Sequence, residues 1–424
     1  MKERHRRASR REFLGLLSAA ALWPRDRARA APPAGTVPAA ARPLRVRAIT
    51  AGVDLDGPGD VATIEKAIAV LGRAREALVA AGNEVQTLRV ATQPLFEAGP
   101  EKRRRSLAAL ASLDAAAVAG GVVLSVGPVL TSDEAPDDFA AWASELATST
   151  KRTSFTVMVA SPDRGSHPRA AAAAARAIVA LAQASPVANF RFAAAARVPP
   201  GSPFFPVAYH RGPRALSVGL ESAHLVEEAF AGAAGPAEAT VRLRQRLNVE
   251  LRRIEGVAAA FARAEGWAYG GIDPSPAPGM DRSIGAAVEA LIEVPFGSPS
   301  TLQACAAVTD ALKSLDVRTC GYAGLMLPVA EDPVLARRAR EGRYGIEELL
   351  LYSSVCGTGL DVVPIPGDTP AEVVEGIVSD VASLSVKLQK PLSARLFPVV
   401  GKKAGEVAHF DDPLLTDTVV FDVG

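Results

Sequence analysis

The chain predicts an α/β protein of about ten strands closed into a barrel with helices on its outside, and three observations carry that expectation. Apolar runs rich in β-branched residues alternate with longer Ala- and Leu-rich stretches from residue 45 to the C-terminus, the pattern of a mostly parallel sheet. No internal linker interrupts the alternation. A single open sheet of about ten strands is close to the size at which sheets curl or split, so closure is the economical solution. Two smaller sheets in two domains are the alternative.

The N-terminus is read first as an address. Arg4, Arg6 and Arg7 lead into Ser9-Arg10-Arg11-Glu12-Phe13-Leu14, and an apolar run to Trp23 follows. Paired arginines before a short apolar run are the twin-arginine form of an export signal, and Ala28-Arg29-Ala30 supplies a small-x-small cleavage pattern. Residues 1–30 are expected to be removed, with the twin-arginine translocase as export partner and the periplasm or exterior as destination. The apolar run is about ten residues, well short of the ~20 a membrane span needs. Residues 31–43 are rich in Pro and Ala without apolar periodicity, so they read as a disordered tether. One α/β barrel domain is expected over 44–424.

Strands are expected at 45–53, 84–91, 121–126, 153–160, 189–195, 215–220, 267–272, 319–327, 359–364 and 392–398. Helices are expected between most of them, for example at 60–81, 168–184, 221–266 with a break at Gly235-Pro236, 300–315 and 369–390. The formal charge is +1, which gives no electrostatic basis for a nucleic-acid partner. Three cysteines, Cys305, Cys320 and Cys356, cannot all pair within the chain, so a disulfide scaffold is not expected.

In parallel α/β folds ligands gather where strands end and loops lead into helices. The polar corners of this sequence fall at such places: Asp54 and Asp56 after the first strand, Ser202 and His210 in the Pro-rich segment after the fifth, Glu221 after the sixth, Asp273 after the seventh, Asp361 in the ninth and Lys402 after the tenth. Asp54 and Asp56 have a second reading as helix caps, and His210 and His224 lack a third close partner for zinc. Gly-x-Gly-x-x-Gly, Walker and Gly-x-Ser-x-Gly motifs are all absent, which removes motif support for a nucleotide site or a serine hydrolase elbow. Asp273, Glu221 and Asp361 are therefore the candidate acids and bases, and Cys356 is the candidate nucleophile or hydrogen-transfer thiol. Asp54, Asp56, Arg191, Ser202, His210, Gly321, Tyr322 and Lys402 are candidate ligand contacts. A divalent metal on the carboxylates and an oligomeric state are both compatible with the sequence, and the cofactor is open.

Arg318-Thr319-Cys320-Gly321-Tyr322-Ala323-Gly324 resembles the segment that stores the radical in glycyl radical enzymes. Asp316 departs from that pattern, and about a hundred residues follow the segment where those enzymes end. Ser353-Ser354-Val355-Cys356-Gly357-Thr358-Gly359 presents a thiol on a turn, as the partner loop of those enzymes does. An exported protein has poor access to the activating partner, so radical chemistry is not expected.

Four longer motifs, taken in order, resemble the domain-of-unknown-function 711 family, also called UPF0210. They are Asn189-Phe190-Arg191-Phe192 with Gly201-Ser202-Pro203-Phe204-Phe205-Pro206; Gly271-Ile272-Asp273-Pro274-Ser275-Pro276-Ala277-Pro278; Cys320-Gly321-Tyr322-Ala323-Gly324-Leu325-Met326-Leu327-Pro328; and Cys356-Gly357-Thr358-Gly359-Leu360-Asp361. The resemblance runs from about Arg45 to the C-terminus. It implies a barrel like that of the pyruvate formate-lyase-like glycyl radical enzymes and leaves the reaction open. The functional expectation is an enzyme acting on a small polar or anionic metabolite in the barrel mouth, or a non-catalytic periplasmic small-molecule binding protein.

Overall fold

In the computed structural model, residues 44–96, 100–185 and 187–424 are described, and the expected signal and tether lie outside them. β1 (Arg45–Val53), β2 (Glu84–Thr92), β3 (Val123–Leu130), β4 (Thr153–Ser161), the short β5 (Gly165–Ser166), β6 (Phe192–Ala196), β7 (Ala215–Glu221), β8 (Ala268–Asp273), β9 (Gly359–Pro366) and β10 (Leu392–Val399) form one ten-stranded sheet. Its order is β8-β7-β1-β2-β3-β4-β6-β10-β9, with β5 paired to β4. The pair β11 (Val407–Ala408) and β12 (Thr418–Val419) stands apart.

Helices follow the strands: α1 (Val61–Ala80), α2 (Pro100–Ala119), α3 (Phe139–Ser149), α4 (Pro168–Ala184), α5 (Ala223–Phe230), α6 (Pro236–Ala264), α7 (Ile284–Ile292), α8 (Thr301–Lys313), α9 (Pro333–Arg340), α10 (Ile346–Ser353) and α11 (Ala371–Leu388). The strand period of two sends Ile49, Ala51 and Val53 of β1 and Leu392, Ala394 and Leu396 of β10 into the main core with the helices, and an irregularity between Val46 and Ala48 brings Val46 to the same core. In α1 the same core takes Ile64, Ala67, Leu71 and Leu78, one stripe at helical spacing. Asp60 caps this helix by accepting from Thr63 N at 3.1 Å, so neither Asp54 nor Asp56 is its cap.

The sheet is mostly parallel, but β7 runs antiparallel to β1 and β10 antiparallel to β6. Strands β1–β4 and β6 therefore point one way, and β7–β10 the other. This corrects the expectation of a single rim. Asp54 and Asp56 follow β1 at one end of the sheet, whereas Glu221, Asp273 and Lys402 close β7, β8 and β10 at the other.

Segment 319–327 is a second correction, because it is not a strand. Its one bridge is the isolated parallel pairing of Thr319 with Ile272, and a second, Pro328 with Asp361, lies just past its end. Gly321 and Ala323 sit at φ +67° and +46°, outside strand geometry, and the N–H groups of Tyr322, Ala323, Gly324 and Leu325 are taken by side chains. The expected helix 221–266 divides into α5 and α6, with Pro236 opening the second. Helices α2, α3, α7, α9 and α10 fall between strands, as the alternation leads one to expect, at places for which no bounds were given. No helix among the described residues is long and apolar enough to cross a membrane.

Candidate functional site on the inner face of the sheet

The face turned away from the helices is covered by the chain itself. The Pro-rich segment after β6 lies across it, with Pro203 O accepting from Thr50 Oγ1 at 3.0 Å and from Arg89 Nη1 at 2.8 Å. His210 N donates to Thr92 O at 2.9 Å. Gly52 and Gly127 make room for the segment, since a Cβ there would fall 2.2 Å from His210 Nδ1 or 2.6 Å from Tyr209 Cβ. Two small apolar clusters line the face, one containing Phe204, Tyr322 and Met326 and the other Val362, Phe397 and Leu415.

Beside the second cluster lies a set of buried and half-buried charges. Arg395 Nη1 donates to Asp361 Oδ1 at 2.8 Å and lies 3.5 Å from Glu331 Oε1. Arg47 Nη2 is 3.7 Å from Glu331 Oε2, and Arg47 Nη1 is 3.3 Å from Glu221 Oε2. Arg89 and Arg395 both lie over the Phe205 ring, at 5.9 and 6.0 Å, and Arg395 also lies over Phe190 at 5.1 Å, within cation–π range. Three of their N–H groups are buried without a hydrogen-bond partner: Nε of Arg89, and Nε and Nη2 of Arg395.

The electrostatics follow from this crowding. Burial pushes Arg89 down to about 9, and the like charges of Arg47 and Arg395 add to the fall. Burial also pulls Arg395 down, but Asp361 and Glu331 outweigh it and hold its guanidinium charged. Glu331 is raised, chiefly by burial and further by Asp361, against the pull of Arg395.

Asp273 organises the neighbouring loop. Its Oδ1 accepts from Ser275 Oγ at 2.6 Å, Ser275 N at 3.1 Å and Ala323 N at 3.1 Å, while Oδ2 accepts from Tyr322 N at 2.7 Å. Burial raises its carboxyl to about 6 despite these donors. Gly321 passes so close that a Cβ would lie 2.1 Å from Asp273 Oδ2 and 3.2 Å from Ser202 Oγ. Tyr322 OH donates to Ser393 Oγ at 2.9 Å, and burial raises its pKa.

The structure thus brings Asp273, Ser202, Gly321 and Tyr322 together, and Asp361 with Arg395. Glu221 is buried beside them, held by Arg45 at 2.9 Å and Gln86 at 2.5 Å. Other expected residues stand elsewhere. The Cys356 thiol is in the main core, accepting from Gly359 N at 3.4 Å, although its loop meets the Gly321 loop through Gly357 N and Leu325 O at 2.7 Å. Arg191 is spent on Thr150 Oγ1 at 2.9 Å and Thr153 O at 3.0 Å, with Ala147 O as a third acceptor, and burial lowers it to about 10. Asp54 and Asp56 are exposed and Lys402 is half-buried on a turn. His210 Nε2 pairs with Gly212 O at 2.8 Å.

Arg47, Arg89, Arg395 and Glu331 were absent from the sequence-based set. The signal for the arginines was present, since each interrupts an apolar strand. Glu331 lies in a short 3₁₀ turn at Val329–Glu331, and nothing in the sequence marks it. Among the described residues no group of three or more His, Cys, Asp or Glu side chains is arranged to hold a metal ion.

A family model described as "Uncharacterised ACR (DUF711)" matches residues 40–411. A UPF0210 protein of Pyrobaculum islandicum is 35% identical over 299 residues, 66% of this chain and 64% of that protein. A UPF0210 protein of Bifidobacterium animalis subsp. lactis is 31% identical over 231 residues, 52% of this chain and 51% of its own length. One from Lactobacillus helveticus is 28% identical over 277 residues, covering 63% and 62%. The chain thus spans between about half and two thirds of the length of these relatives.

Proposed function

The chain belongs to the DUF711 family, and from that premise we propose that it is an enzyme that binds a small anionic metabolite on the inner face of its sheet. The observation that carries the reading is the set of buried guanidinium N–H groups without partners on Arg89 and Arg395. A buried, unpaired donor costs roughly 1–3 kcal/mol, more when charged, so such a set is poorly explained by folding alone. An anion accepting these donors recovers that cost, and Arg is the residue suited to a planar carboxylate.

The same reading includes closure of the sheet into a barrel. Its support is that segment 319–328 touches both end strands, bridging β8 at Thr319 and β9 at Pro328. It also includes export, for which the Ser-Arg-Arg-Glu-Phe-Leu leader is the support.

A second reading, a periplasmic binding protein without a reaction, draws on one specific observation. Asp273 already accepts four hydrogen bonds and Cys356 is packed in the core, so these two expected catalysts are occupied by structural roles.

The test is a thermal-shift screen of small carboxylates, phosphates and neutral analogues on the chain from residue 31 onward. A ligand at 100 times its Kd adds about 2.7 kcal/mol of apparent stability. The reading requires a response to anions that is lost in Arg89→Met, a variant that strands no carboxylate. Turnover of the ligand separates the enzyme from the binding protein, and fractionation of tagged full-length chain tests export.

A further inference from the structure

We propose that Glu331 is the proton-transferring residue of this site, and that the ligand is a small carboxylate with a carbonyl oxygen on the adjacent carbon. The inference rests on the anion-binding reading above. It starts from the shape of the unpartnered donors. Nε and Nη2 of Arg395 lie on one edge of a guanidinium, the side-on fork that matches a carboxylate. Nε of Arg89, whose guanidinium shares the Phe205 ring with that of Arg395, is a single further donor, suited to one further oxygen.

Glu331 differs from the two buried carboxylates beside these donors. Asp361 holds Arg395 at 2.8 Å and Glu221 holds Gln86 at 2.5 Å, whereas the contacts of Glu331 are long, 3.5 Å to Arg395 and 3.7 Å to Arg47. Its side chain is 13% exposed, enough to exchange its proton with solvent. The charged groups facing it are Arg395, Asp361, Arg47 and Arg89, and with burial leading they leave it a stronger base than an ordinary carboxylate.

The step balances without a cofactor. Glu331 takes a proton from the carbon beyond the carbonyl, and the electron pair of that C–H bond moves into the C–C bond while the carbonyl π pair moves to oxygen. The enolate oxygen so formed is held by Arg89. The carboxyl of Glu331 exchanges its proton with water and returns one to carbon, restoring the ligand.

The experiment uses 2-oxobutanoate as probe in D2O, with 2-hydroxybutanoate and butanoate as controls. Deuterium entry at C3 is followed by NMR, and binding by thermal shift. The protein is expected to accelerate exchange at least tenfold over buffer, on a pH profile that rises with ionisation of Glu331. Glu331→Gln should return exchange to the buffer rate while 2-oxobutanoate still raises Tm. Exchange undiminished in Glu331→Gln, or binding without exchange in the parent, overturns this inference and leaves the anion site standing. Equal binding of butanoate overturns the ligand class alone, and no shift with any anion in the wider screen sinks both readings.

Discussion

Asp332 Oδ1 accepts the hydroxyl proton of Ser283 at 2.6 Å, and this one contact joins the starts of two helices. Ser283 caps α7 by accepting from Ala286 N at 2.9 Å, and Asp332 caps α9 by accepting from Val334 N at 2.9 Å and Leu335 N at 3.0 Å. Asp332 Oδ2 also takes Ile284 N at 2.6 Å, so a fully buried carboxylate serves both N-termini. Replacement by Ala removes two caps at about 1 kcal/mol each and strands buried N–H groups. Asp332→Ala should lower unfolding stability by at least about 3 kcal/mol in urea titration, and a loss below about 1 kcal/mol would refute the shared-cap account.

Gly321 should tolerate no side chain. Its φ of +67° disfavours L residues, and a Cβ would sit 2.1 Å from Asp273 Oδ2. Gly201 provides the control, with φ +85° but nothing within 4 Å of its Cβ position. The left-handed conformation alone costs Ala about 1 kcal/mol, so Gly201→Ala should lose about that much. Gly321→Ala should lose clearly more in the same chemical denaturation assay.

Asp273 should make the fold less stable as pH rises. Its carboxyl is raised from 3.8 to about 6. Below 3.8 folded and unfolded chains both hold the proton, and well above 6 neither does. Between these values only the folded chain holds it, so stability falls with rising pH through this window and then levels, by roughly 3 kcal/mol in all. Glu331 and Asp332 are also raised and act in the same direction. Asp273→Asn should therefore flatten, without abolishing, the fall seen in denaturation midpoints between pH 4 and 6.

The Arg395–Asp361 pair should be far more sensitive to single than to paired substitution. Both side chains are nearly inaccessible, at 7% and 6% exposure, and removing one partner of a buried pair costs about 3–5 kcal/mol. Arg395→Met is expected to lose that amount in Tm-derived stability. Adding Asp361→Leu should recover at least half, and failure to recover would mean that Arg395 acts mainly through its packing on Phe190.

The alternation of strands and helices was legible because each strand has one face in the apolar core, and β1 and α4 match their expected bounds. The direction of strands was not, since hydrophobic period two is the same for a strand running either way. That is why one rim was expected where two opposed ends exist. Segment 319–327 reads as a strand from its apolar residues, but Asp273 and Ser275 take its N–H groups, a competition visible only in three dimensions. Asp273, Gly321 and Tyr322 each fall in a motif that the sequence singles out, but nothing in the sequence says that these motifs meet. Glu331 was not legible, since a lone acid before Asp332-Pro333 looks like any helix start.

Ala194 of β6 pairs with Ala394 of β10, so an inner strand of the sheet waits for a partner encoded two hundred positions later. While the ribosome is still working, β6 carries an open backbone edge. A nascent chain arrested before Leu392 would thus display a sticky border, and premature termination should yield aggregates instead of a smaller soluble product.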